Sequence, residues 1–153
     1  LAWLFARAQL PMQAVLQGYY VAMSVYGYWH WTRQGDVAHR PVSTWPLRAH
    51  LSAWAAILAL SALTAGWLAA GTQAAWPYLD SAVTWASVLA TWFVARVKIE
   101  NWLYWIATDA VLVYLSAAQG LAFVAVLYLA YLCIAVVGFV TWLKVLRTQA
   151  VPA

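Results

Sequence analysis

The chain has 153 residues, of which 67% are hydrophobic and 8% are charged. About a quarter of the residues in an ordinary soluble domain are charged. The composition therefore excludes that class and predicts an all-α membrane protein that crosses the bilayer several times. The net charge of +4 comes from basic residues between the apolar segments, so it indicates membrane topology rather than binding to nucleic acid.

The first ten residues, LAWLFARAQL, have the composition of a helix that is already under way. They lack an initiator Met, a basic leader and a cleavage site of the signal-peptide kind. The sequence therefore predicts an N-terminally truncated chain with about five transmembrane helices.

The first complete predicted helix covers residues 11–31, and its polar side chains form one stripe. The stripe consists of Gln13, Gln17, Tyr20 and Ser24, spaced by four, three and four residues. Polar groups inside a bilayer face protein or a water-filled cavity. Two interpretations remain open, namely contact with a ligand and hydrogen bonds that only join helices.

The composition of two further predicted helices indicates structural roles rather than ligand binding. Residues 51–70 are rich in alanine and uncharged, which favours a packing or linking helix. On the helix at residues 78–97, hydrogen bonding to the backbone or to a neighbouring helix is the preferred interpretation of the polar stripe. That stripe consists of Asp80, Thr84, Ser87 and Thr91.

Residues 100–142 contain two apolar segments of about twenty residues, a length that spans a bilayer, joined at residues 118–120. Asn101, Trp105 and Asp109 are spaced by four residues and share one helical face. This face is the predicted site where a polar ligand meets an aromatic wall. Trp102 is expected to align with Trp105 less well than Asn101 does.

Asp109 requires an explanation, because an acid at the centre of a transmembrane helix costs about 2.5–3.5 kcal/mol on insertion scales. It could accept hydrogen bonds from ligand hydroxyls, or it could be protonated and bonded to Thr108 or a neighbouring helix. Proton coupling is less favoured, since these helices offer no basic partner.

Catalytic and metal chemistry are not expected. The single cysteine, Cys133, excludes a disulfide within the chain and has no histidine near it in sequence. The three histidines lack the i, i+4 spacing of a metal or haem site. The sequence therefore predicts a protein that is not an enzyme and binds no cofactor.

Basic residues lie in the connection at residues 32–50, in the turn at 96–99 and near the C-terminus, whereas residues 71–77 and 117–120 carry none. This asymmetry predicts that the basic segments and the C-terminus are cytoplasmic.

Residues 15–31 align with residues 126–142 in an internal repeat. The matches that carry weight pair Tyr20 with Tyr131, Gly27 with Gly138 and Trp31 with Trp142. The two copies are an even number of predicted crossings apart, so they are expected to run in the same direction. Parallel repeats around a central ligand site are a known arrangement of transporters.

Three stretches resemble the PnuC-type nicotinamide riboside transporters, whose architecture is shared with the SWEET sugar transporters. They are LQGYYVAMSVYGYWHW at 16–31, ENWLYWIATDA at 100–110 and QGLAFVAVLYLAYLCIAVVGFVTW at 119–142. The resemblance implies parallel three-helix bundles joined by a linking helix. The implied divisions are the tail of an earlier helix with the last helix of a first bundle (1–33), a cytoplasmic loop (34–50), the linking helix (51–70), a second bundle (75–145) and a cytoplasmic tail (146–153).

The resemblance also implies facilitated diffusion of nicotinamide riboside, an NAD precursor, across a bacterial inner membrane. A cytoplasmic riboside kinase would trap the vitamin. Related transporters carry thiamine or riboflavin, and a scaffold subunit that transports nothing is the alternative from another class. The sequence leaves open whether the chain forms a homo-oligomer.

The family's N-W-x-x-W motif implies substrate contacts for Asn101 and Trp105, together with polar residues of the helix at 11–31. An indole face attracts the cationic N-ribosylated ring by about 0.5–2 kcal/mol, and Asn101 or Gln17 could pair with its carboxamide. The ribose hydroxyls could bind Gln13, Tyr128 or Asp109. The predicted substrate-binding residues are thus Gln13, Gln17, Tyr20, Asn101, Trp105, Asp109 and Tyr128.

Overall fold

A computed structural model describes residues 1–7, 10–34, 41–72 and 76–149. Over these ranges the chain is all-helical, and its only β-type pairing is an isolated bridge between Ser43 and Lys98. The all-α prediction is confirmed. The helices are α1 (Ala2–Arg7), α2 (Pro11–Gln34), α3 (Leu47–Gly71), α4 (Pro77–Ala95), α5 (Asn101–Ala118) and α6 (Ala122–Gln149).

The helix ends differ from the predicted ones by a few residues. α2 continues to Gln34, and α3 begins at Leu47, directly after Pro46, instead of at residue 51. Proline suits the start of a helix because its missing N–H would have no partner there. α6 extends to Gln149, into the predicted tail. Residues 35–40 of the predicted loop lie outside the described residues.

Residues 41–46 pack against the turn between α4 and α5. The Ser43 N–H donates to the Val97 carbonyl at 3.2 Å, and the Ile99 N–H donates to the Ser43 carbonyl at 3.1 Å. The Trp45 N–H donates to Glu100 Oε1 at 2.6 Å. This part of the predicted cytoplasmic loop is therefore held on the helical bundle, which the sequence alone does not predict.

Apolar side chains cover the outside of the helices. Leu63 and Trp67 on α3 are each 72% exposed, and Phe123 on α6 is 95% exposed. Among the described residues, two helices, α3 and α6, are long and apolar enough to cross a membrane. The other long helices, α2, α4 and α5, carry the polar side chains that the fold buries, which lowers their hydropathy. Polar inside and apolar outside is the arrangement expected in lipid.

α2 and α4 run in the same direction, with their N-termini side by side. The buried carboxylate of Asp80, on the first turn of α4, accepts the Met12 N–H at 2.9 Å and the Gln13 N–H at 3.1 Å. These groups belong to the first turn of α2, where N–H groups have no partner within the helix. Asp80 therefore caps α2 from a neighbouring helix, a role supplied in most helices by the residue before the first turn.

Short turns connect the last three helices. The turn at residues 96–100 joins α4 to α5, and Gly120, with a φ of +70°, closes the turn between α5 and α6. α5 is therefore antiparallel to both of its neighbours. As a result α2, α4 and α6 share one direction, as the internal repeat requires.

Candidate substrate cavity

A cavity of about 430 Å³ lies between α2 and α6, with α4 and α5 behind it. Its volume falls within the range of about 300–1,000 Å³ that is typical of small-molecule sites. The described lining residues are Leu1, Gln17, Tyr20, Ser24, Thr91, Val94, Trp102, Trp105, Asp109, Leu112, Tyr128, Tyr131, Ile134 and Ala135.

α2 contributes most of its polar stripe to the cavity. Gln17, Tyr20 and Ser24 line the wall, while the Ser24 hydroxyl donates to the Tyr20 carbonyl at 2.8 Å. The Ser24 hydroxyl therefore keeps only acceptor capacity for a ligand. The Gln17 side chain approaches the Tyr128 hydroxyl on α6, so polar groups of α2 and α6 meet at the cavity.

The wall formed by α5 follows the spacing three, four and three. Trp102, Trp105 and Asp109 are the first three members of this series, and Leu112 is the fourth. Asn101 is one residue out of step. It is fully buried at the first position of α5, and its Nδ2 donates to the Lys98 carbonyl at 2.5 Å. Its Oδ1 accepts no hydrogen bond from the described residues.

Aromatic rings meet on both sides of the cavity. The rings of Tyr20 and Trp105 pack with their centroids 6.1 Å apart and a 50° angle between their planes. On α6, Tyr128 and Tyr131 meet edge-to-face at 5.8 Å. Tyr20 and Tyr131, the matched tyrosines of the internal repeat, thus both line this cavity. A flat ring entering the cavity would find aromatic faces on α2, α5 and α6.

Trp102 is held in place by two residues of α6. Its indole packs edge-to-face against Trp142 at 5.4 Å between ring centroids. The ring also lies over Gly138, where a Cβ atom would be 2.5 Å from two indole carbons. Gly138 is therefore required by close approach of the ring. The buried Nε1 of Trp102 donates no hydrogen bond to the described residues.

Asp109 is the acidic residue that lines the cavity over the described ranges. It is 3% exposed, and it lies close enough to the hydroxyls of Tyr20 and Tyr128 for electrostatic interaction. The Thr108 hydroxyl donates to the Tyr104 carbonyl at 2.9 Å, with the Trp105 carbonyl at 3.2 Å as a second acceptor, and so it donates no hydrogen bond to Asp109. Asp109 thus presents its carboxylate among phenolic groups, at a place where a ligand can reach it.

Five of the seven predicted substrate-binding residues line this one cavity: Gln17, Tyr20, Trp105, Asp109 and Tyr128. Asn101 and Gln13 do not. The Gln13 amide is fully buried between α2 and α4, where its Nε2 donates to Thr84 Oγ1 at 3.2 Å. In this conformation Gln13 joins helices, which was the structural alternative for its stripe.

Sequence reasoning missed Trp102 as a member of the wall. The signal was present, because Trp102 and Trp105 are three residues apart and continue to Asp109 and Leu112 in an i, i+3, i+7, i+10 series. The predicted face began at Asn101, whereas the observed wall of the cavity begins one residue later, at Trp102. Thr91 also belongs to the lining, with its hydroxyl donating to the Ser87 carbonyl at 2.8 Å.

Several known proteins are similar to this chain in sequence, and one solved structure is similar to it in fold. The nicotinamide mononucleotide transporter family matches residues 1–144. The nicotinamide riboside transporter PnuC of Escherichia coli (strain K12) is 26% identical, over 95% of this chain and 72% of its own length. The riboflavin/roseoflavin transporter RibM of Streptomyces davaonensis is 30% identical, over 82% of this chain and 61% of its own length.

A crystal structure of the vitamin B3 transporter PnuC superimposes with a TM-score of 0.76 and 22% sequence identity. The match covers 97% of this chain and 68% of that one, so the two share a fold. Together with the apolar exterior, these similarities make the chain a multi-pass membrane protein. With residues 1–144 matched, the chain belongs to the nicotinamide mononucleotide transporter family.

Proposed function

We propose that this protein carries nicotinamide riboside across the membrane by facilitated diffusion through the cavity between α2 and α6. The observation that carries the proposal is the convergence of indole faces, phenols and one carboxylate on a single cavity. The E. coli relative is named as a nicotinamide riboside transporter. A bacterial inner membrane location, a cytoplasmic C-terminus and trapping of the product by a riboside kinase are part of the same proposal.

The ligand's chemistry matches the cavity in three respects. Its ribosylated pyridinium ring is flat and positively charged, and it can stack on Trp105 or Trp102. Its carboxamide needs a donor and an acceptor, which the Gln17 amide provides. Its ribose hydroxyls can donate to the Asp109 carboxylate, which also balances the charge of the ring.

Riboflavin is the second candidate, because the RibM relative is named as a riboflavin transporter. The isoalloxazine ring is flat but uncharged, so it lacks the ionic attraction between a pyridinium and a carboxylate, although the ribityl hydroxyls of riboflavin can donate to Asp109 as the ribose hydroxyls can. Asp109 therefore favours the cationic vitamin. Thiamine also carries a positively charged ring, which Asp109 would attract in the same way. Nicotinamide riboside and thiamine are therefore separated by comparing their binding directly.

Binding to the purified full-length protein tests the proposal. Isothermal titration with nicotinamide riboside, thiamine and riboflavin should give saturable binding of nicotinamide riboside that is the tightest of the three. Trp105→Ala should weaken that binding about tenfold or more, because it removes the stacking and cation–π attraction.

Trp67→Ala is the matched control, since Trp67 is 72% exposed on α3 and does not line the cavity. It should bind nicotinamide riboside as the unaltered protein does. Unchanged affinity in Trp105→Ala would contradict the assignment of this cavity. Saturable binding of none of the three vitamins would instead favour a scaffold subunit.

A further inference from the structure

A second cavity of about 370 Å³ lies on the opposite side of α5 from the first. It is formed where the first two turns of α3 and α5 face each other beside residues 41–46. The lining residues are Trp45, Leu47, His50, Trp54, Glu100, Leu103, Tyr104 and Ala107. None of them lines the first cavity, so the two cavities are separate.

The cavity lies at the end of the helices and opens towards the apolar exterior. Its rim includes Leu47 and Leu103, which are 74% and 49% exposed. Tryptophan and tyrosine side chains at such a level mark the membrane–water interface. A phospholipid therefore has direct lateral access here, with its acyl chains along the exposed leucines and its headgroup at the helix ends.

The polar group at the base of the cavity is the carboxylate of Glu100. Its Oε1 accepts the Trp45 N–H at 2.6 Å and lies 3.7 Å from His50 Nε2. Its Oε2 is buried and accepts no hydrogen bond from the described residues. A buried acceptor without a partner is costly, and the soft terminal torsion of glutamate allows this oxygen to turn towards a donor in the cavity.

Aromatic rings surround this carboxylate. The rings of Trp54 and Tyr104 stack with their centroids 5.6 Å apart. The His50 ring also stacks on Tyr104, with a centroid distance of 6.0 Å. Aromatic faces beside a carboxylate attract an organic cation. The exposed indole of Trp54, on the side of the lipid, is the face that remains most accessible to one.

The start of α3 offers a place for an anion next to this cation site. No side chain caps its first turn at Pro46, so N–H groups and the positive end of the helix dipole are available. The exposed Arg48 lies on the same turn. The site therefore presents an anion-binding group and a cation-binding group side by side, the pattern of a zwitterionic headgroup.

We propose that the cavity between α3 and α5 binds the headgroup of phosphatidylethanolamine, with the ammonium at Glu100 and Trp54 and the phosphate at the start of α3. A primary ammonium can donate the hydrogen bond that Glu100 Oε2 lacks. The quaternary ammonium of phosphatidylcholine has no N–H to donate, and phosphatidylglycerol has no cation. The carboxylate therefore selects phosphatidylethanolamine among these three lipids.

Native mass spectrometry of the purified protein with each lipid, matched in acyl chains, tests the proposal. Phosphatidylethanolamine should bind about tenfold more tightly than the other two, the factor expected from one hydrogen bond to a charged group. Glu100→Gln should reduce its affinity to that of phosphatidylcholine. Trp67→Ala, on the outer surface of the same α3 helix, should leave the selectivity unchanged.

Equal binding of the three lipids by the unaltered protein would overturn the proposal, and so would phosphatidylethanolamine selectivity that survives Glu100→Gln. Titration of nicotinamide riboside into Glu100→Gln provides a check on folding, because the first cavity should still bind it. Should that variant fail to fold, Trp54→Ala serves instead, and its expected result is weaker binding of phosphatidylethanolamine. Unaltered lipid affinity in Trp54→Ala would equally contradict the assignment.

Discussion

Gly138 is the position where a single added methyl group should reshape the candidate substrate cavity. An ideal Cβ at this residue would lie 2.5 Å from the Cη2 and Cζ3 atoms of Trp102 and 2.7 Å from Cε3. Carbon atoms in ordinary contact are about 3.5–4.0 Å apart, so the indole must retreat by about 1 Å. Trp142 packs against the same ring at 5.4 Å between centroids, which leaves the cavity as the open direction.

Gly138→Ala should therefore push Trp102 into the space proposed for the ligand. Overpacking of this kind costs about 1–3 kcal/mol. Part of this cost should lower the stability of the protein, and part should lower its affinity for the ligand. We expect nicotinamide riboside to bind about tenfold more weakly, a change of about 1.4 kcal/mol. Isothermal titration measures this loss, and thermal unfolding of the purified protein should show a lower midpoint.

Gly66→Ala on α3 is the control, because a Cβ atom there meets no atom within 4 Å. It should keep the ligand affinity and gain up to about 1 kcal/mol of stability from better helix propensity. Adding Trp102→Phe to Gly138→Ala should restore part of the stability, since the smaller ring no longer meets the methyl group. Unchanged affinity and stability in Gly138→Ala would refute this reasoning.

Three further predictions concern single buried or strained residues. Asp80→Ala should lower the free energy of unfolding by about 2–5 kcal/mol, since it leaves the N–H groups of Met12 and Gln13 without an acceptor; Asp80→Asn, which keeps one acceptor, should lose about half as much in the same denaturation assay. Asp109→Asn should weaken nicotinamide riboside binding about tenfold in titrations, and it should weaken any riboflavin binding less, because riboflavin loses no ionic contact; equal losses for both ligands would contradict an ionic contact. Val97 is a β-branched residue with a φ of +53°, a left-handed conformation that glycine adopts more easily. Val97→Gly should therefore raise the free energy of unfolding by up to about 1 kcal/mol; a less stable variant would show that the strain is absent.

Helical periodicity predicted much of the site, because it reports which side of a helix is polar. The stripe of Gln17, Tyr20 and Ser24 and the face of Trp105 and Asp109 do meet in one cavity. Polar side chains that face lipid are energetically costly, so few of them occur on the lipid-facing side of a transmembrane helix. For this reason a polar series in an apolar segment locates an interior face even without knowledge of the neighbouring helices.

Periodicity could not decide what each polar side chain contacts. Gln13 and Gln17 belong to the same stripe, yet Gln13 bonds to Thr84 while Gln17 reaches the cavity. The difference depends on Asp80, which draws the start of α2 against α4. That contact joins residues 68 positions apart in the chain, so no local pattern encodes it.

The role of Asn101 was equally hidden from sequence spacing. It is the first residue of α5, and its side chain turns back to the Lys98 carbonyl instead of following the helical face. The second cavity was missed for a related reason. Its walls combine α3 and α5 with residues 41–46, and the packing of that connection against residues 97–100 is a tertiary feature.

The most direct test of the transport proposal is a structure of the full-length protein determined with nicotinamide riboside bound. We expect the pyridinium ring to lie against Trp105 or Trp102 between α2 and α6, with a ligand hydroxyl on Asp109. Ligand bound outside that cavity, with Trp105 and Asp109 making no contact to it, would contradict the central claim.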